Sequence, residues 1–264
     1  MGPSFAAGSC AQLVWKATSS ISLDISGGDR PTVLGVVCAL MGSLKVLDLS
    51  SNELGPKGGA AVTEALKVNG SLTELNLFRN QIGNEGAKAV GEALAVDGSL
   101  TSLDIGYNQI GLEGGVAIAE ALKVNGSLTS LHLYQTQIGD EGAKAIGAAL
   151  AVNASLTSLN LGVCVIGAEG GVAISEALRV NGSLTKVNLA ANKIGDAGAA
   201  AIGDALKVNG SLTSLNLAWN DLGPKGSVAI AEALKVNGSL TDLDLDHNAW
   251  RGAHDQRLID EARS

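Results

Sequence analysis

The chain has almost no large rings: of 264 residues, three are Trp, two Tyr and two Phe, and only two are Met. One core of that length is usually filled with aromatic side chains, so their scarcity argues for a stack of thin layers closed by Leu, Ile, Val and Ala. Cysteine is scarce too. Cys10, Cys38 and Cys164 are odd in number and share no clip spacing, which excludes a disulfide framework and a zinc knuckle and fits a reducing, cytoplasmic setting. Positive charge falls short of negative, 18 Lys and Arg against 26 Asp and Glu, for a net −8. Such a chain has little with which to replace phosphate counterions or grip an anionic lipid face, so neither nucleic acid nor membrane is expected as a partner. No apolar run of about 20 residues offers a membrane span, and Met1 to Trp15 lacks the basic start of a secretory signal.

Catalytic motifs are missing as well. His132, His247 and His254 have no Ser or Cys nucleophile in a recognisable motif, and neither HExxH, CxxC nor GxxxxGK[ST] occurs. The expectation is a protein that is not an enzyme and uses no cofactor and no metal.

What the chain does have is a period of 28 residues. Seven full units start at Ser43, Ser71, Ser99, Ser127, Ser155, Ser183 and Ser211, and an eighth begins at Ser239 and changes character after Asn248. Each unit opens with alternating apolar and polar residues, as in Leu72, Leu75 and Leu77 around Glu74 and Asn76, the pattern of a short strand with one buried face. It continues at helical spacing, as in Ala89, Val90, Ala93 and Leu94. Asn84 and Asp140 stand where a helix N-cap is expected, with Pro56 and Pro224 at that same early position. An Asn-Gly pair such as Asn125-Gly126 is expected to end the helix in a left-handed turn. The pairs also supply six glycosylation sequons, from Asn69 to Asn237, which we read as turn chemistry rather than sugar sites. Helices alternate between a GlyVal type (Gly115-Val116, Gly171-Val172) and an AlaLys type (Ala143-Lys144), a double period that suggests duplication of 56-residue pairs.

Asn52, Asn80, Asn108, Asn192, Asn220 and Asn248 fall at one position just after the strand. A buried Asn there can satisfy loop backbone groups. Thr136 and Cys164 replace it in the fourth and fifth units, where a weakening of the ladder is expected. The domain reading is 1–42 for an N-terminal cap with a degenerate repeat (Ile21, Leu23 and Ile25 as strand, Val33 to Leu40 as helix), 43–238 for the seven repeats, and 239–264 for the last strand and a C-terminal cap. Leu13, Val14 and Trp15 are candidates for one plug, and Trp250, Leu258 and Ile259 for the other.

The pattern LxxLxLxxNxIGxxGAxAIxxAL, and the run EALKVNGSLT from Glu120 to Thr129, resemble leucine-rich repeats of the ribonuclease-inhibitor-like subfamily over about residues 19–248. Ribonuclease inhibitor, the Ran GTPase-activating protein and the repeats of NOD-like receptors share that pattern. The resemblance implies an α/β leucine-rich-repeat solenoid, a horseshoe with a parallel β-sheet on its concave side and α-helices on its convex side. It also implies a scaffold that binds a protein partner. GTPase activation as in the Ran regulator, or ligand sensing as a fragment of a NOD-like receptor, stand as alternatives, and a place in a larger assembly is compatible with the first reading.

Four rows of residues are expected on the concave side. The last two hold Phe78, Tyr107, Tyr134 and Trp219, four of the seven aromatics. Aromatic and Arg side chains are common anchors of interfaces. Phe78, Arg79, Tyr107, His132, Tyr134, Gln135 and Trp219 are therefore the candidate partner-binding residues. Asp242, Asp244 and Asp246 read as charges that guard an edge strand rather than as a cation site.

Overall fold

The computed structural model describes residues 44–248, preceded by two backbone strands, Gln12–Trp15 (β1) and Ser20–Asp24 (β2). Eight three-residue strands follow: Val46–Asp48 (β3), Glu74–Asn76 (β4), Ser102–Asp104 (β5), Ser130–His132 (β6), Ser158–Asn160 (β7), Lys186–Asn188 (β8), Ser214–Asn216 (β9) and Asp242–Asp244 (β10). Between them lie seven helices: Gly55–Leu66 (α1), Gly83–Leu94 (α2), Leu112–Leu122 (α3), Gly139–Leu150 (α4), Ala168–Val180 (α5), Gly195–Leu206 (α6) and Pro224–Leu234 (α7). All ten strands form one sheet in chain order. From β3 onward each pairs in parallel with the next at a step of 28 residues, so Leu47, Leu75, Leu103, Leu131, Leu159, Val187, Leu215 and Leu243 form one file across the sheet.

β2 carries the expected degenerate strand, with Ile21 beside Leu47. β1 turns back antiparallel on β2, Leu13 opposite Leu23, and so covers what would otherwise be an open sheet edge. The plug expected at Leu13, Val14 and Trp15 is thus an edge hairpin strand in its backbone. The helix expected at Val33 to Leu40, and the plug at Trp250, Leu258 and Ile259, lie outside the described residues.

Each coil closes on its own layer of Leu, Ile and Ala, with Leu75 and Leu103 at 2 % and 1 % exposure. Helix-favouring Ala, Leu, Glu and Lys fill the second half of each unit, and Pro56 and Pro224 sit in the first turns of α1 and α7, where no backbone donor is needed. Capping departs from the sequence reading. Asn84 and Asp140 lie inside the first turns of α2 and α4 and do not cap their own helices. Each reaches across to the next coil instead. Asn84 Oδ1 accepts the amides of Gly111 (2.7 Å) and Gly114 (3.2 Å) at the start of α3. Asp140 Oδ1 accepts those of Gly167 (2.6 Å) and Gly170 (2.9 Å) at α5, and Asp196 Oδ1 those of Gly223 (2.9 Å) and Gly226 (2.7 Å) at α7.

The double period therefore has a physical content. In the donating coils the residue before the capping side chain is a glycine at positive φ (Gly83 +62°, Gly139 +63°, Gly195 +59°). In the receiving coils the matching Gly111, Gly167 and Gly223 are extended, at φ −99°, −95° and −93°. A second alternation runs along the helices. A Cβ on Gly91, Gly147 or Gly203 would meet the carbonyl oxygen of Ala117, Ala173 or Ala229 in the next helix at 2.7 Å, so each donating helix is smoothed where its receiver packs.

Three side-chain ladders tie coil to coil. In the first, Asn108 Nδ2 donates to Leu77 O (2.8 Å), Ile105 O (3.0 Å) and Gly106 O (3.0 Å), and its Oδ1 accepts Asn80 N (2.8 Å) and Ile82 N (3.3 Å). Asn80, Asn192 and Asn220 repeat the scheme. At the expected break the hydroxyl of Thr136 donates to Leu133 O (2.8 Å) and contacts Cys164 Sγ (3.2 Å), so no Asn oxygen stands over the amides of Asn108 and Ile110. The second ladder uses the Asn of the Asn-Gly and Asn-Ala pairs. Asn125, Asn153, Asn181 and Asn209 are buried, and each Nδ2 donates to two carbonyls of the preceding coil while Oδ1 accepts the amides that open the next strand. Here the left-handed turn expected at Asn125-Gly126 is not found: neither residue has positive φ, because the side chain does the joining that the turn was expected to do. In the third, the hydroxyl of each strand-entry Thr from Thr73 to Thr241 donates to the carbonyl 28 residues earlier.

Candidate docking surface

Strands only three residues long leave two of the four expected rows outside the sheet. The row of Phe78 and Tyr134 and the row of Arg79, Tyr107, Gln135 and Trp219 lie in the loop that leaves each strand. The latter row is held left-handed throughout the array, with φ of +55° at Arg79, +56° at Tyr107 and Gln135, and +58° at Trp219. A non-glycine residue there has its backbone fixed by its neighbours rather than by its own preference. Its amide is tied across to the next coil, Arg79 N to Gly106 O (3.0 Å) and Tyr107 N to Tyr134 O (2.7 Å). The side chain stands on a rigid post at the strand's exit.

The rings of Phe78 and Tyr107 lie 5.8 Å apart at 50°, and the Arg79 guanidinium lies 5.7 Å from the centre of the Tyr107 ring. These three, from adjacent coils, form one cluster. Tyr107 is 42 % exposed and Tyr134 37 %, while Phe78 is half-buried. Tyr134 stands over Gly162, where a Cβ would come within 3.1 Å of its ring, and Gln135 beside it is exposed. Trp219 is apart from the cluster, at the far end of the array, stacked on His247 at 4.1 Å and 17°.

His132 belongs to the row in which every other residue is Asp or Asn. Those side chains are occupied by their own loops: Asn76 Oδ1 accepts Phe78 N (2.9 Å), Asp104 Oδ1 accepts Gly106 N (2.9 Å), and Asp48, Asn160, Asn188, Asn216 and Asp244 do likewise. This structural use of the row was not foreseen, although an Asx residue two before a turn is its usual signal. His132 departs from it and instead sets Nδ1 3.6 Å from Asp104 Oδ2. The contact of its ring N–H with Asp104 raises its pKa above the ordinary 6.5, against partial burial, which lowers it.

A cleft of about 360 Å³ lies over β6 to β10, lined among others by His132, Asn160, Lys186, Asn188 and Asp242. At its far side Asp242 accepts from Ser214 Oγ (2.8 Å) and Asp244 from Asn216 Nδ2 (2.9 Å), so two of the three aspartates are bound to the neighbouring strand. No cluster of three or more His, Cys, Asp or Glu placed to hold a metal occurs among the described residues, and no described helix is long and apolar enough to cross a membrane. The Cys164 thiol is buried, and burial pushes its pKa up.

A family model described as Leucine Rich repeat matches residues 43–62, 68–91, 99–119, 124–147, 152–175, 180–203 and 208–231. No curated protein matches the chain. Among solved structures, the leiomodin-1 actin-binding site 2 is 23 % identical, with 67 % of this chain and 86 % of that one covered and a TM-score of 0.44. The tropomodulin C-terminal domain of Caenorhabditis elegans is 15 % identical, with 57 % and 90 % covered and a TM-score of 0.49.

Proposed function

Since the chain belongs to the leucine-rich-repeat family, we propose that it is a non-enzymatic, cytoplasmic scaffold of the ribonuclease-inhibitor-like kind that docks a protein partner along the strand exits of its sheet face. The observation that carries this is the Phe78–Arg79–Tyr107 cluster. Coils closed by small aliphatic layers leave rings no place inside, yet nothing in that packing requires two of them to meet an Arg at adjacent exits. Rigid, half-exposed rings beside a guanidinium are the usual composition of an interface hot spot. Tyr134 and Gln135 extend the surface by one coil, His132 lies beside it on the sheet, and Trp219 is a separate anchor. The terminal segments 1–42 and 239–264 act as caps in this reading. GTPase activation is the less favoured reading, because the residue that leaves each strand keeps one left-handed backbone from Ser51 to His247 and no described strand exit is set apart from the others.

The test is affinity purification from the source organism with the wild-type chain and with Phe78→Ser/Tyr107→Ser/Tyr134→Ser, followed by mass spectrometry. We expect a protein that co-elutes with the wild type and is lost with the variant, at a melting temperature within a few degrees. Undiminished recovery of the same partner would refute the proposal.

A further inference from the structure

One apolar feature has no role within the chain. Where each helix ends, every described coil places a valine in solvent. Val68, Val96, Val124, Val152, Val180, Val208 and Val236 are between 60 and 89 % exposed. The residues on either side behave differently. The Asn or Asp that follows each of these valines from Val96 to Val208 is buried in the second ladder. Lysines precede four of them, each paired with the carboxylate one helical turn back: Lys67 with Glu64 (2.7 Å), Lys123 with Glu120 (2.6 Å), Lys207 with Asp204 (2.8 Å) and Lys235 with Glu232 (2.6 Å). The result is one exposed valine per coil in register along one flank of the array, beside lysines already paired in place.

We infer that this flank is the interface of a homodimer, with the valine file of one chain packed on that of a second copy. Three observations favour a copy of the chain over another occupant. A partner must repeat at the same interval to engage a file with one valine per coil, and a second copy does so by construction. The file spans seven coils with no valine less than 60 % exposed, an extent that suits a partner as long as the chain itself. Four of the five basic residues that precede these valines are paired with a carboxylate in place, Arg179 before Val180 being the fifth, so charge of one sign does not gather against a second copy.

Symmetry fixes the pairing. Strands about 4.8 Å apart and helices about 8–10 Å apart force the array to bend around its sheet, so the file is an arc. Two arcs lie face to face along their whole length only if the two-fold axis runs radially through the central coil. Val152 then meets Val152 of the copy, Val124 meets Val180, Val96 meets Val208, and Val68 meets Val236. A two-fold axis tangent to the arc would bend the files apart after the centre. Closed two-fold pairing of one patch with itself is also the commonest form of soluble oligomer.

The experiment uses the full chain with Cys10 and Cys38 replaced by Ser; Cys164 is buried and stays. Sedimentation at micromolar concentration is expected to give the dimer mass, and Val124→Lys/Val152→Lys/Val180→Lys the monomer mass with unchanged melting, since these side chains are exposed. Under mild oxidation Val152→Cys is expected to yield a covalent dimer. Val68→Cys alone is expected to yield none, and Val68→Cys/Val236→Cys to restore it. A monomeric wild type, a dimer that survives the three lysines, or cross-linking of Val68→Cys by itself would each overturn the inference. If the lysine variant fails to fold, the cysteine series decides.

Discussion

Val165 is a β-branched residue at φ +60° and is 57 % exposed, so it holds a strained backbone in return for little packing. The equivalents that share its left-handed backbone are Glu53, Gln81, Gln109 and Asp221, all unbranched at Cβ. Asn tolerates this region far better, and Val165→Asn is expected to raise stability by about 1 kcal/mol, read as a higher midpoint in urea with an unchanged slope. His132 gives a prediction in pH. Its folded pKa is raised by Asp104, so the stability it contributes is complete below its unfolded value of 6.5 and is lost as pH rises through the folded one. Asp104→Asn keeps the acceptor for Gly106 N, as Asn76 does for Phe78 N, but removes the charge. NMR titration of the variant should show the His132 pKa moved down; an unmoved value would dissociate the two residues. At the sequons, the Nδ2 groups of Asn125, Asn153, Asn181 and Asn209 are buried and spent on carbonyls.

Between elements, the cross-coil caps make the sharpest prediction. Asp140→Ala strips the acceptor from the amides of Gly167 and Gly170 and should cost about 1 kcal/mol, whereas Asp140→Asn, which reproduces Asn84, should cost little in the same thermal melts. Gly147→Ala drives a methyl into Ala173 O at 2.7 Å and should cost about 1–3 kcal/mol. The sequence showed where the helices run, because their spacing and their Pro and Gly follow local rules, and it showed the Asn file after each strand. It did not show that Asn84 and Asp140 serve the following helix, nor that Asn125 joins coils rather than turning the chain. Both side chains stand where a local cap or turn is also sound chemistry, and only the 28-residue step of the coil brings the distant amides within reach. The candidate surface was half legible for a similar reason. Alternation along the strand predicted which residues turn outward, but strands of three residues end before Phe78 and Tyr107, so these stand at the exits and not on the sheet.

Across the whole array, stability is a sum over coils and their junctions, and the junction at Thr136 and Cys164 lacks the Asn ladder. Amide exchange should be fastest, among the interior coils, in the loops from Asn108 to Ile138. Thr136→Asn/Cys164→Asn should slow it and add about 2 kcal/mol as the orphaned amides regain an acceptor; equal protection along the array would contradict this. Capping in couples also sets a rule for length. Excising 127–154, a single coil, would put Leu112 where Gly167 and Gly170 need Asp140. Excising 127–182 instead brings the third coil against the sixth, with Asp196 still serving Gly223 and Gly226 and Asn108 next in line to Asn192. Growth and shrinkage of this gene by recombination are thus quantised at two turns of the coil, and an odd number of units lost leaves a scar where an even number heals.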